Sequence, residues 1–285
     1  MNNKTETGKK TMNQHQIVSW SLIVALFVLR IPILGVIGTF SYSESLDIIY
    51  QIGTYFFTAV FLWWECKNLK DFHIDMLALW IIILGKPIQT LILRNWGMPF
   101  SFPHIPSLLI WAIAIGLAIA MWFRRRDLPK FQWKSLGWFG VGTLIGIGLA
   151  VILAIPGAYQ VDLSITPSEF WLYLRQNSVT SFFYQIGYAA VSEEPFFRGF
   201  LWGALRKVGW KEVWIWLLQA GLFTVGHIFY FGKYPISLFV IVPFGALIMG
   251  LAVWKSRTIS TSLPIHGASN ALGLMLSRLA AYYIK

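Results

Sequence analysis

The feature that most constrains this chain is a series of apolar runs, each about as long as a bilayer is thick. Nine can be read, at 16–40, 47–64, 75–93, 106–123, 137–158, 179–205, 213–231, 236–254 and 259–284. A hydrocarbon core of about 30 Å takes about 20 residues as a helix. A barrel strand would give shorter runs of alternating polarity. Charged residues make up 12% of the chain, half the roughly 25% of a globular domain. The fold expected is therefore all-α: a polytopic integral membrane protein with about nine transmembrane helices. The first run is too long for a cleavable signal, lacks a small-residue cleavage site and is followed by further spans. The hydrophilic start, MNNKTETGKK, reads as part of a tail over 1–15.

The net charge of +11 invites a nucleic-acid reading, but the charges sit in short loops between apolar runs, so no nucleic-acid partner is expected. The tail and every second loop hold 15 of the 23 Lys and Arg: Lys4, Lys9, Lys10, Lys67, Lys70, Arg124, Arg125, Arg126, Lys130, Lys134, Arg206, Lys207, Lys211, Lys255 and Arg257. The opposite loops and the C-terminus hold 4, namely Arg94, Arg175, Lys233 and Lys285. Positive charge marks the cytoplasmic side. The expectation is thus a multi-pass protein of the cell membrane with its N-terminus in the cytoplasm. The lone Cys66 excludes an intrachain disulfide and any multi-cysteine metal site.

Sorting the acids and histidines by depth leaves little. Ten of the 12 acids fall in the tail, in loops or at segment ends, and only Glu193 and Glu194 are deep. Of the 5 histidines only His227 and His266 are deep. A carboxylate in hydrocarbon costs roughly 2.5–3.5 kcal/mol on insertion scales and reads as functional by default. At 1.5 Å per residue, Glu193, His227 and His266 lie roughly 20, 20 and 13 Å from the cytoplasmic face, with Asn270 at about 20 Å. One layer of a bundle can converge on one cavity.

Spacing within each helix suggests roles. Glu194 and Arg198 are i,i+4 and share a face. Glu193 points about 100° away, able to address another helix. Pro195 cannot donate to the carbonyl of Val191, which predicts a kink beside Glu193. His266 and Asn270 are also i,i+4. Phe223 lies one turn before His227 and would floor it. A structural account competes: a deep Glu–Arg pair can stitch helices, His227 can be a hydrogen-bonded core histidine, and Asn270 can be helix glue. Arg30 and Lys86 read as structural, snorkelling or pairing with carbonyls.

Three stretches together resemble a known family. EEPFFR at 193–198, FTVGH at 223–227 and HGASN at 266–270 are similar to the EExxxR, FxxxH and HxxxN motifs of the CPBP family. That family comprises the CAAX proteases and bacteriocin-processing proteins, also called Abi, and is related to type II CAAX prenyl endopeptidases. The resemblance covers roughly 175–280. It implies an intramembrane endopeptidase with its catalytic bundle in the C-terminal half. The domain reading is a tail at 1–15, N-terminal transmembrane helices at 16–170 and a protease core at 171–285, with the site opening toward the cytoplasm.

Residues and resemblance together imply a peptidase acting on a membrane-embedded or lipidated protein or peptide, of CAAX-like or bacteriocin-processing type. Peptide hydrolysis needs an activated water, an acid for the leaving amine and an oxyanion donor. Glu193 is the expected general base and His227 would orient the same water. His266 and Asn270 would stabilise the oxyanion, and Arg198 would hold Glu194. The alternative is zinc ligated by Glu193, His227 and His266 with a water in the fourth position. No cofactor or Zn²⁺ therefore stays open at this stage. Two rival functions remain: a non-proteolytic scaffold or immunity protein, and a proton-coupled transporter. The transporter would call for paired broken helices in both halves, whereas the ionisable layer lies in one.

Overall fold

The computed structural model describes residues 12–40, 44–95, 102 and 104–285. Most of the expected 1–15 tail lies outside the described residues. Among the described residues the chain is helical, with no strand. The helices are α1 (Gln14–Val28), α2 (Leu34–Phe40), α3 (Glu44–Trp64), α4 (Met76–Asn95), α5 (Ile105–Phe123), α6 (Trp133–Ala158), α7 (Pro167–Gln185), α8 (Val191–Glu194), α9 (Trp202–Lys207), α10 (Glu212–Val225), α11 (Val242–Ser256) and α12 (Ser262–Ile284).

Local chemistry sets several boundaries. Asn13 and Gln16 form a reciprocal capping box that opens α1, and Thr166 and Glu169 do the same for α7, with Pro167 next. Wide π turns join α1 to α2 at Leu29–Ile33, which contains Pro32, and lead into α11 at Ser237–Ile241. The longest rod runs from α7 to α9 through π turns at Ile186–Ala190 and Pro195–Leu201. Pro195 does not break this rod. It keeps helical backbone angles, φ −58° and ψ −38°, and the widened turns on both sides of Glu193 and Glu194 absorb the missing donor.

Six helical stretches are long and apolar enough to cross a membrane: Gln14–Ile37, Ser45–Trp64, Met76–Asn95, Ile105–Phe123, Trp133–Ala158 and Ser237–Ser256. The chain is a multi-pass membrane protein on that ground. Large apolar side chains such as Val24, Ile49, Leu84, Leu144 and Ile152 lie exposed on these helices, as a lipid-facing surface requires. The expected runs at 179–205, 213–231 and 259–284 fall on helices that do not meet the same measure. One carries Glu193, Glu194 and Arg198; α10 is only 14 residues long; α12 carries His266, Asn270 and Arg278. α10 is apolar but too short, and the other two commit part of their surface to polar and charged side chains.

α12 is held chiefly against α6. A Cβ on Gly142 would stand 2.2 Å from the carbonyl oxygen of Thr261, and one on Gly146 would stand 2.6 Å from that of Ile265. The two glycines, four apart, let the backbones touch, and His266 is the next residue after Ile265. A second close crossing brings Gly187, in the first π turn of the long rod, onto Gly85 of α4.

The loop between α3 and α4 is more buried than its position at segment ends implies. Glu65 and His73 are each 2% exposed. Asp75 accepts hydrogen bonds from Ala78 N, Thr258 Oγ1 and Ser260 Oγ. Ile259 N donates to the carbonyl of His73 at 2.8 Å. The His73 ring lies 3.2 Å from the carbonyl of Arg198 through Nδ1, and Arg206 donates to its Nε2. With Nε2 accepting, the proton sits on Nδ1 and is donated to that carbonyl. The loop thus clamps the long rod to the turn before α12.

Candidate active site

Glu193 and Glu194 project from the single α-helical turn of α8, between the two π turns. Their consecutive positions send them to different neighbours. Glu194 is fully buried, and its Oε1 accepts from Arg198 at 3.2 Å and from His266 Nδ1 at 2.9 Å. Arg198 also donates to the carbonyl of Ala246 at 3.3 Å, and its guanidinium lies 4.3 Å from the Phe223 ring centre. Glu194 therefore ties α12 to the rod and fixes the tautomer of His266: Nδ1 carries the proton and Nε2 its lone pair.

Glu193 addresses the first helix. Its Oε1 accepts from Arg30, which in turn donates to the hydroxyl of Tyr50 on α3. Arg30 is 5% exposed, so it neither snorkels nor pairs with a carbonyl. It is a side chain of the site that the sequence reading assigned to structure. The signal that would have found it is charge balance: two deep carboxylates faced only one deep arginine on the motif helices. Lys86, grouped with Arg30 in that reading, is buried elsewhere, donating to Gln51 Oε1 with its ammonium 5.5 Å from the centre of the Tyr188 ring.

The second oxygen of Glu193 is buried, and among the described residues no donor reaches it. His266 Nε2 lies 3.8 Å from it. That span is too long for a hydrogen bond and suits a water within reach of both atoms.

His227 does not sit within a continuous helix. α10 ends at Val225, Gly226 caps it, and His227 occupies the following turn, φ −104° and ψ 17°. Its Nδ1 bonds the carbonyl of Phe223 at 2.8 Å, which leaves Nε2 as an acceptor. The Phe223 ring packs against both histidines, tilted to His227 with centroids 4.7 Å apart and edge-on to His266 with centroids 6.0 Å apart. Arg198, His227 and His266 thus gather around one phenylalanine, with Glu194 bonded to Arg198 and His266 and Glu193 beside His266. Asn270 stands apart. It is exposed, one turn beyond His266, and its Nδ2 lies 3.4 Å from Gln185 Oε1 at the end of α7.

Among the described residues no group of three or more His, Cys, Asp and Glu is placed to hold a metal ion. Arg30 occupies one oxygen of Glu193, and a cation there would face a guanidinium.

Fold and site together describe a multi-pass helical membrane protein enclosing a buried acid–base cluster. Residues 175–272 match the family model described as Type II CAAX prenyl endopeptidase Rce1-like, a match consistent with a member of the CPBP protease family. The matched segment contains all three motifs. Arg30 and Tyr50 lie outside it. No curated protein and no solved structure matches the chain.

Proposed function

We propose that this protein is an intramembrane endopeptidase that hydrolyses a peptide bond of a membrane-embedded or lipidated protein or peptide, with water activated by Glu193. The observation that carries the reading is the pair of acceptors, Glu193 Oε2 and His266 Nε2, set 3.8 Å apart. A water between them points its two O–H groups at the two acceptors and presents its lone pairs outward. As the water oxygen bonds to the scissile carbon, its proton passes to Glu193 Oε2 and the carbonyl electron pair moves onto oxygen. Collapse of that intermediate breaks the C–N bond, and Glu193 returns the proton to the leaving amine. His227 Nε2, also an acceptor, is an alternative to His266 for the second O–H of that water, and Asn270 is the neutral donor available to the oxyanion. Glu194 and Arg198 hold His266 in register.

The type II CAAX match favours a prenylated protein C-terminus as the substrate class. On the same reading the chain crosses the cell membrane nine times, with its N-terminus and the mouth of the site on the cytoplasmic side. The three helices that fall short of a simple span are then the ones that line the site.

The experiment is cleavage of a farnesylated CAAX peptide, and of tagged membrane peptides, by purified protein in liposomes. Wild type should cleave one of them and Glu193→Ala none. Equal cleavage by Glu193→Ala would end this mechanism and leave a non-proteolytic scaffold.

A further inference from the structure

We propose that Arg30, braced by Tyr50, is a positioning residue for the reaction, holding the Glu193 carboxylate ionised and aimed; the inference rests on Glu193 being the base. Both residues come from the N-terminal helices, outside the segment that matches the protease family.

The two carboxylates have separate guanidinium partners with different surroundings. Arg198 is fully buried, four residues from Glu194 on the same rod, and also bonded to the carbonyl of Ala246. It serves the backbone arrangement as much as the charge. Arg30 reaches across from the π turn that contains Pro32, and the bonds it makes here are to two side chains, Tyr50 and Glu193. It grips Oε1 and leaves Oε2 open toward His266. Both glutamates leave a buried Oε2 without a donor, but that of Glu193 is the one 3.8 Å from the His266 Nε2 lone pair, where a shared water would meet the otherwise costly unmade bonds.

The charge balance gives the arrangement a chemical use. A buried carboxylate with no counter-charge takes up a proton and stops being a base. Glu193 faces Arg30 from the π turn between α1 and α2, Tyr50 from α3, His266 from α12, and Glu194 and Arg198 on its own rod. His227 and Tyr230, beyond α10, also feel its charge. Arg198 is matched by Glu194, so Arg30 is the guanidinium among these groups that is left to balance Glu193. When Glu193 takes the proton of water, the negative charge moves to the carbonyl oxygen. Arg30 then keeps the site neutral through the transition state.

The test is steady-state kinetics on the substrate that wild type cleaves, with folding followed by gel filtration and thermal melting. Arg30→Gln should lose about 10²-fold in kcat with KM nearly unchanged, the pattern of an interaction used in the transition state. Its rate should recover in part at alkaline pH and on adding free guanidinium. Arg30→Lys should recover part of kcat, and Tyr50→Phe should lose less than Arg30→Gln. A folded Arg30→Gln with wild-type kcat, or with a raised KM alone, overturns the proposal. So does a kcat loss that neither alkaline pH, guanidinium nor lysine relieves. Should Arg30→Gln not fold, Arg30→Lys decides: reduced kcat at wild-type KM supports the proposal and wild-type kcat overturns it. Activity in Glu193→Ala would instead show that the base itself is wrongly assigned.

Discussion

Arg30 and Glu193 stand 163 positions apart in sequence and share a hydrogen-bonded ion pair inside the helical bundle. The pair joins the first apolar helix to the motif helix, so the first helix belongs to the site even though its sequence carries no motif.

The two glutamates should respond differently to amide substitution. Glu194→Gln strands Arg198 and weakens the grip on His266. Breaking one side of a buried pair costs about 3–5 kcal/mol, so this variant should melt far lower than wild type and be inactive. Glu193→Gln also loses a buried pair, but Arg30 keeps Tyr50 and a small exposure. It should fold with a smaller drop in melting temperature and show no turnover. Equal melting of both variants would refute the division of roles.

The α6–α12 crossing can be tested without touching the chemistry. Gly146→Ala puts a methyl group 2.6 Å from a backbone oxygen of α12, and overpacking of this kind costs about 1–3 kcal/mol. The melting temperature should fall and activity with it, because His266 must move. Gly148→Ala, two residues on and so on the opposite face of α6, with nothing within 4 Å of its Cβ, should be neutral or slightly stabilising. An undisturbed Gly146→Ala variant would disprove the close approach.

His73 sets a pH dependence of stability. Burial, reinforced by the Arg206 charge, pushes this loop histidine down to about 3. The unfolded chain takes up the proton first, near the ordinary histidine value of about 6.5. Its contribution is therefore complete above about pH 6.5 and declines as the pH falls toward 3, by up to about 1.4 kcal/mol per pH unit. Melting curves between pH 7 and 5 should show wild type losing stability faster than His73→Gln. Parallel curves would show that His73 is not the group responsible.

Metal removal separates the two chemistries. Water activation by Glu193 predicts full activity after chelator treatment and no stoichiometric metal by elemental analysis. Loss of activity that added zinc restores, together with loss of bound zinc in His266→Ala, would establish the metal route instead.

The loop charges predict an orientation that labelling can test. In a background with buried Cys66 replaced by Ser, cysteines at Lys130 or Lys207 should react with impermeant maleimide only from the cytoplasmic side. One at Lys233 should react from outside. External labelling at Lys207 would invert the topology and the depth argument with it.

The sequence alone determined that this chain is helical and membrane-embedded, because apolar length and sparse charge leave a bilayer-crossing backbone few alternatives. It also pointed to the acids and histidines of the C-terminal half that the structure buries, Glu193, Glu194, His227 and His266, and to their local i,i+4 relations, which follow from helical pitch. What it could not contain is which side chain of another helix meets each of them. Arg30 sits in an unremarkable apolar run, and only the packing of that run against α8 makes it the partner of Glu193. His266 lies between the two glutamates because glycines of α6 let α12 come close. The widened turns around Pro195 and the helix end before His227 were likewise decided by packing, which replaces lost backbone bonds in ways that a local pattern of residues does not record.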